Sequence, residues 1–308
     1  NLSNSGNSTV TGNASGNGNG VNISGNITDG VISGSATGNG AGVDISGDST
    51  LINTTVNGNG TDGSGVNISG NLSNSGNSTV TGNASGNGNG VNISGNITDG
   101  VISGSATGNG AGVDISGDST LINTTVNGNG TDGSGVSISG NLSNSGNSTV
   151  TGNASGNGNG VNISGNITDG VISGSATGNG SGVDISGDST LTNTTVSGNG
   201  TDGSGVNISG NLTNSGNSTV TGNASGNGTG VDINGTVTGG DITGNASGNG
   251  NGVNISGNIT DGVISGSATG NGAGVDISGD STLTNTTVNG NGVNGSGVDI
   301  SGNLTNSG

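Results

Sequence analysis

The chain has 308 residues, 76 of them glycine, and its only ionisable side chains are 18 aspartates, which give a formal net charge of −18. Without lysine or arginine to neutralise phosphates, and without aromatic rings to stack on bases, this composition excludes nucleic-acid binding. It also excludes zinc sites built from histidine or cysteine, and serine or threonine nucleophiles activated by histidine or lysine.

A motif of the form V-x-I-x-G recurs along the whole chain. It begins at Val21, Val43, Val66, Val91, Val113, Val136, Val161, Val183, Val206, Val231, Val253, Val275 and Val298. The steps of 22, 23 and 25 residues then cycle with a period of 70, so that residues 1–70, 71–140 and 141–210 are nearly the same sequence. The last stretch, 211–308, contains one additional motif at 231–252. Because the motif can be inserted whole, we predict that it forms one turn of a stacked array.

In the turn that begins at Val21, the alternation of apolar and polar residues over Val21–Ser24 predicts a strand with its valine and isoleucine on one face. A second strand is predicted at 26–28 and a third at 31–33 or, in other turns, at the segment equivalent to 8–11. Glycine and Asp-Gly punctuation predicts turns between these strands, because these residues accept positive φ or hydrogen-bond their own backbone.

These turns are placed at Gly25, at 29–30, at Gly34 and across 38–42. About five small apolar side chains per turn should face the interior. In the first complete turn they are Val21, Ile23, Ile27, Ala36 and either Val31 or Ile32. Each turn is too small to fold alone, so stability must come from its neighbours.

Stacking such turns about 4.8 Å apart makes parallel ladders of equivalent strands. We therefore predict an all-β fold, a right-handed parallel β-helix (β-solenoid) with about three short strands per turn and 22–25 residues per turn. It should run through 1–308 as a single continuous solenoid. The low apolar content is also typical of disorder, but the absence of proline and the in-phase valines and isoleucines favour a folded array. Because the chain begins and ends part-way through a turn, we expect it to be a segment of a longer protein.

Two polar columns are predicted on the outer face of the V-x-I strands. The first contains Asn22, Asp44, Asn67, Asn92 and Asp114, and the second contains Ser24, Ser46, Ser69, Ser94 and Ser116. Together they predict a flat polar strip that suits contact with carbohydrate or lateral pairing with a second copy, unless it serves only as a solubilising face. One aspartate in three turns would keep like charges about 14 Å apart, beyond the Debye length of about 8 Å.

The aspartates recur with the repeat instead of forming one cluster, which is the pattern of a surface and not of an active site. We therefore expect no enzymatic activity and no cofactor. Asp44 and Asp48 recur as a pair in the other repeats, so calcium stays open, although the calcium-binding nonapeptide pattern is missing. The Asn-x-Ser/Thr triplets, such as the one at 22–24, leave glycosylation open.

The V-[ND]-I-[SN]-G turns, the sequence N-L-T-N-S-G-N-S-T-V-T-G at 211–222 and G-N-A-S-G-N-G at 12–18 carry a resemblance. The chain resembles the repeat region of large bacterial surface adhesins, namely the β-helical passengers of autotransporters and the filamentous-haemagglutinin-like exoproteins of two-partner secretion. This resemblance implies secretion, an extracellular location at the bacterial cell surface, and roles in cell adhesion, self-association or biofilm formation. The implied partners are the protein itself or host cell-surface glycans, with no insertion into a membrane. The alternative function is a passive rigid stalk that displays a binding or toxin domain located elsewhere.

Overall fold

A computed structural model describes residues 2–3 and 8–307, with side chains described from residue 8 onward. Every regular element in this part of the chain is a β-strand, and the strands divide between two compact units, Asn1–Ala154 and Ser155–Gly308. Across the described ranges, no helix has the length and apolar character that a membrane span requires.

The V-x-I-x-G motif forms one strand in every turn, as predicted. In the first unit these strands are Val21–Ser24, Val43–Ser46, Val66–Ser69, Val91–Ser94, Val113–Ser116 and Val136–Ser139. In the second unit they are Val161–Ser164, Val183–Ser186, Val206–Ser209, Val231–Ile233, Val253–Ile255, Val275–Ser278 and Val298–Ser301. Within each unit the strands pair in parallel with valine beside valine and isoleucine beside isoleucine.

The rest of each turn forms the second parallel sheet of its unit. In the first unit its strands are Leu2–Ser3, Thr9–Ala14, Ile27–Ala36, Ser49–Gly60, Leu72–Ser75, Thr79–Ala84, Ile97–Ala106, Ser119–Gly130, Leu142–Ser145 and Thr149–Ala154. In the second unit they are Ile167–Ala176, Ser189–Gly200, Leu212–Ser215, Thr219–Ala224, Val237–Thr238, Asp241–Ala246, Ile259–Thr260, Val263–Ala268, Ser281–Thr284, Thr287–Gly292 and Leu304–Ser307. The fold is therefore the predicted β-solenoid, of about thirteen turns in total.

The second sheet bends in each turn at left-handed residues, which lie inside the longer strands or between two shorter ones. They are Asp29 (φ 46°) and Gly30 (φ 135°) in one turn, Asn53 (φ 48°) in the next and Gly76 (φ 68°) in the third. Aspartate, asparagine and glycine are the residues that adopt this conformation at least cost. The turn predicted at 29–30 is thus a bend inside the strand Ile27–Ala36.

The turn predicted at Gly34 is wrong, because Gly34 lies within a strand and pairs with Gly58 of the next turn. A Cβ at position 34 would clash with the carbonyl oxygen of Gly42. Glycine is required there by the close approach of a neighbouring backbone segment.

The interior consists of columns of small apolar side chains. Val43, Ile45, Leu51 and Val56 are fully buried within one turn. Of the two candidates in the preceding turn, Ile32 is the buried one, because the strand alternation turns Val31 outward. In that first turn Ile23 is only half-buried, as is its equivalent Ile300 in the last turn, whereas the equivalents from Ile45 to Ile277 are fully buried.

The interior also contains polar side chains, all on the bent side, which is the part of each turn that forms the second sheet. Thr54 donates its hydroxyl to the carbonyl oxygen of Ile52 (2.8 Å), and Ser78 donates to that of Leu51 (3.0 Å). Asn74 stacks on Leu51 and is 2% exposed, yet neither its amide nitrogen nor its amide oxygen has a partner among the described residues. The apolar columns are therefore continuous on the V-x-I side and interrupted on the bent side.

Candidate interaction surface

The ten residues of the predicted polar strip lie in two adjacent rows on the outer face of the V-x-I sheet in the first unit. The first row is Asn22, Asp44, Asn67, Asn92 and Asp114, and the second is Ser24, Ser46, Ser69, Ser94 and Ser116. Most of the first row is half-buried, with only its first asparagine exposed. The serines are exposed or half-buried. The structure thus brings all ten together, in register.

The first row is an ordered hydrogen-bond ladder. The amide of Asn92 donates to the Oδ1 of Asn67 (2.9 Å), and the amide of Asn67 donates to the Oδ1 of Asp44 (2.7 Å). The other carboxylate oxygen of Asp44 accepts from the amide of Asn19 at 3.0 Å. Because an ionised carboxylate only accepts, Asp44 can receive amides from both sides. Asp44 therefore accepts one hydrogen bond at each carboxylate oxygen, whereas an asparagine at this position would have a single acceptor oxygen for both donors.

The second unit repeats this arrangement. Asp184 accepts from Asn207 (2.7 Å) and from Asn159 (3.0 Å). Asp232 accepts from Asn254 (2.8 Å). The aspartates therefore have a structural role in the ladder, which the sequence analysis missed. The signal that could have shown it is the asparagine two residues before the motif valine.

Aspartates do not stay three turns apart throughout. In the second unit Asp276 pairs in register with Asp299, so the expected separation is wrong at this position. Burial raises the pKa of Asp276, the hydrogen bond from Asn251 opposes this, and the charge of Asp299 raises the pKa further. Burial likewise raises the pKa of Asp114 in the first unit, against hydrogen bonds from Ser137 and Asn89.

No group of three or more possible metal-ligating residues comes together in the part of the chain that the structure describes. Asp48, one of the residues considered for calcium, accepts hydrogen bonds at its Oδ1 from the backbone nitrogen (2.9 Å) and the side-chain amide (3.2 Å) of Asn71. Its equivalent Asp280 has a pKa lowered by the backbone hydrogen bond from Asn303 and by that residue's amide. These carboxylates stabilise the corner that follows the V-x-I strand in the turns that contain them.

A second surface feature is a longitudinal groove at the carboxyl end of the last second-sheet strand of each turn. In the second unit it has a volume of about 500 Å³, within the roughly 300–1,000 Å³ typical of ligand sites. One wall is a row of asparagine and serine side chains, the floor is a row of buried alanine and glycine, and the other wall is a row of threonine and serine. The central turn of the groove contributes Asn223, Ala224 and Ser225.

The first unit has the same groove, lined among others by Asn59, Gly60, Thr61, Asn83 and Ala84, with a volume of about 330 Å³. This groove was not predicted, although the sequence contains a signal for it. In the repeat, the last strand of each turn ends at a small residue that lies between two polar ones, as in Ser-Ala-Thr, Asn-Gly-Thr and Asn-Ala-Ser. No protein-family model, curated protein or solved structure matches this chain. Function is therefore inferred from the polar strip and the groove.

Proposed function

We propose that this chain is a structural and interaction segment of a bacterial extracellular adhesin, displayed at the cell surface, whose repeated faces mediate self-association, cell adhesion or biofilm formation. The observation that carries this proposal is the repetition of the same outward side chains in register from turn to turn. A surface of this kind presents one weak contact many times, and avidity then supplies the strength. The proposal includes no catalytic role.

The serine row is the part of the strip best suited to lateral pairing. A hydroxyl both donates and accepts, so two identical serine rows are complementary to each other. Equal turn spacing in both copies keeps every rung of such a contact in register. The neighbouring Asn/Asp row already directs amides and carboxylates at one another, as at Asn67 and Asp44. Its side chains therefore bind one another along the stack, and its aspartates contribute the charge that opposes pairing.

Light scattering across salt and pH tests this proposal. Because all ionisable side chains are aspartates, copies repel at neutral pH and low salt. Self-association should therefore increase with salt, and it should increase as the pH falls toward the isoelectric point of about 4.1. Association that weakens with added salt would contradict the electrostatic basis of the proposal.

A matched pair of variants locates the contact. The double variant Ser69→Asp and Ser116→Asp adds two charges to exposed positions of the serine row and should reduce self-association. Its control, Ser73→Asp and Ser143→Asp, adds the same charge to exposed serines on the bent side of the turn. Equal loss in the two variants would mean that net charge, and not the strip, governs the association.

A passive rigid stalk is the second candidate, and the internal ladders favour it. Asn71 illustrates this, because its amide is bound to Asp48 while its Oδ1 accepts the backbone nitrogen of Asn96 (3.0 Å). Such side chains stabilise the stack without any partner. A chain that stays monomeric in every condition and binds neither cells nor glycans would favour the stalk.

A further inference from the structure

We propose that the longitudinal groove binds an extended, uncharged polysaccharide that lies along the stacking direction. This site is separate from the serine row, and its occupation does not require self-association. The inference is carried by the polar chemistry of the two walls, by the absence of charge in the groove, and by its recurrence in both units.

The first wall supplies hydrogen-bond donors. The amide of Asn223 donates to the Oδ1 of Asn199 (3.0 Å), and the amide of Asn245 donates to the Oδ1 of Asn223 (3.0 Å). Each amide has two N–H groups and uses one of them in this ladder. The second N–H of each exposed asparagine is not used in this ladder, so a ligand in the groove can accept it. The wall therefore presents one donor per turn along this part of the groove.

The second wall supplies acceptors. The hydroxyl of Ser247 donates to the carbonyl oxygen of Ser225 (3.3 Å), and that of Thr269 donates to the carbonyl oxygen of Ser247 (3.3 Å). Since these hydroxyls donate their hydrogen to backbone carbonyl oxygens, their lone pairs can accept hydrogen bonds from a ligand. A sugar hydroxyl both donates and accepts, so a sugar ring between the walls can satisfy both.

The absence of charged side chains in the groove, together with the negative charge of the whole chain, favours a neutral polymer. None of the residues that line the groove in either unit is an aspartate, and the whole chain has no cation. An anionic polysaccharide would find no counter-charge in the groove and would be repelled by the net charge of −18. A neutral, hydroxyl-rich chain meets neither problem.

The repetition of the walls selects a polymer over a single sugar. Equivalent groups recur about every 4.8 Å along the groove, so a ligand must lie lengthwise to use several rungs. The first unit repeats the donor wall, since Asn83 donates to Asn59 at 3.2 Å. Without aromatic rings each rung binds weakly, and affinity should rise with the length of the ligand.

Isothermal titration of the whole chain against cello-oligosaccharides of increasing length and against hydroxyethyl cellulose, mannan and dextran tests the proposal, with anionic alginate as the negative control. We expect binding to at least one neutral polymer, growing with oligosaccharide length where the cellulose series binds, and none to alginate. Binding to no neutral polymer, or stronger binding to alginate, would overturn the proposal.

The groove variant replaces Asn59, Asn83, Asn223 and Asn245 by Asp, which removes donors from the wall. The control replaces Asn87, Asn109, Asn227 and Asn249 by Asp. These are also exposed and form the same kind of amide ladder outside the groove, at 3.2 Å in the first unit and 3.0 Å in the second. We expect at least about a tenfold loss of apparent affinity in the groove variant and less than about a twofold change in the control.

Circular dichroism and the midpoint of thermal unfolding establish that both variants are folded to the same extent. Equal losses of affinity in the two variants would overturn the assignment of the groove. If the groove variant loses self-association in light scattering and keeps its glycan affinity, the groove accommodates a second copy of the chain instead. Failure of the serine-row variants in the self-association assay leaves this result unaffected, so the two proposals can fail separately.

Discussion

The two sides of each turn differ in how much variation they allow. On the V-x-I side, every strand pairs valine with valine and isoleucine with isoleucine, and the interior there is apolar in all the described turns. On the bent side, the strand Ile27–Ala36 has 10 residues and the strand Ser49–Gly60 of the next turn has 12. In the third turn the bent side is divided into Leu72–Ser75 and Thr79–Ala84. The bent side therefore accounts for most of the difference between turns of 22, 23 and 25 residues.

This difference explains how a whole turn can be inserted. The additional turn begins with Val231–Ile233, which pairs with Val206 and Ile208 on one side and with Val253 and Ile255 on the other. Because the V-x-I side offers the same apolar surface at every rung, it accepts any copy of the motif. The bent side adapts by changing register and by burying polar groups that hydrogen-bond to the backbone, as Thr54 and Ser78 do.

The largest effect is expected from breaking the constant side. Ile115 is fully buried between Ile93 and Ile138, so Ile115→Asp places a carboxyl group in a dry column and should cost about 4 kcal/mol or more. Asn92→Ser, on the outer face of the neighbouring strand, removes the hydrogen bond from the half-buried Asn92 to Asn67 and should cost only about 1 kcal/mol. Chemical denaturation of the two variants measures both values. Equal losses would mean that the two faces of the strand are assigned wrongly.

A smaller effect of opposite sign is expected on the bent side. Asn74→Leu replaces a buried amide without partners by an apolar group of the same branching, so it should stabilise the fold by about 1–3 kcal/mol. The control is Asn77→Leu in the same turn, where the side chain is exposed and little change is expected. Thermal unfolding compares the two. Destabilisation by Asn74→Leu would indicate that the amide binds a buried water, which the leucine would displace.

These elements also show how far the sequence allows prediction. The spacing of the motif valines and the alternation within Val21–Ser24 were sufficient for the stacked, parallel, all-β fold. The right-handed sense and the single continuous domain stay predictions. Local patterns failed where a contact comes from another turn. Gly34 is fixed by the backbone at Gly42, and Asn74 faces inward although N-L-S-N-S reads as a polar segment.

The polar strip shows the same limit. Alternation placed Asn22 and Ser24 on the outer face, but no local pattern reveals which way an amide points. The direction of the ladder depends on partners 23 to 25 residues away, such as those of Asp44. The groove depends on three columns, each built from one residue per turn, and becomes visible only when the turns are stacked.

The smallest and most specific effect distinguishes two aspartates of the same row. Asp44→Asn should destabilise the fold by about 1 kcal/mol, because Asn19 and Asn67 both donate to this carboxylate and an amide has one acceptor oxygen to offer them. Asp114→Asn should be tolerated, since the new amide can accept from Asn89 and donate to the hydroxyl of Ser137.

The dependence on pH makes this last comparison stricter. Burial raises the pKa of Asp114, so the folded state binds the proton more tightly than the unfolded state does. The ionised carboxylate therefore costs stability at neutral pH, and this cost disappears as the pH falls through the raised pKa. Asp114→Asn should accordingly be stabilising at neutral pH, with a gain that shrinks in acid, when urea denaturation of variant and wild type is compared across pH. A gain that is the same at every pH, or a loss as large as that of Asp44→Asn, would mean that burial of the charge does not set the energetics of this row.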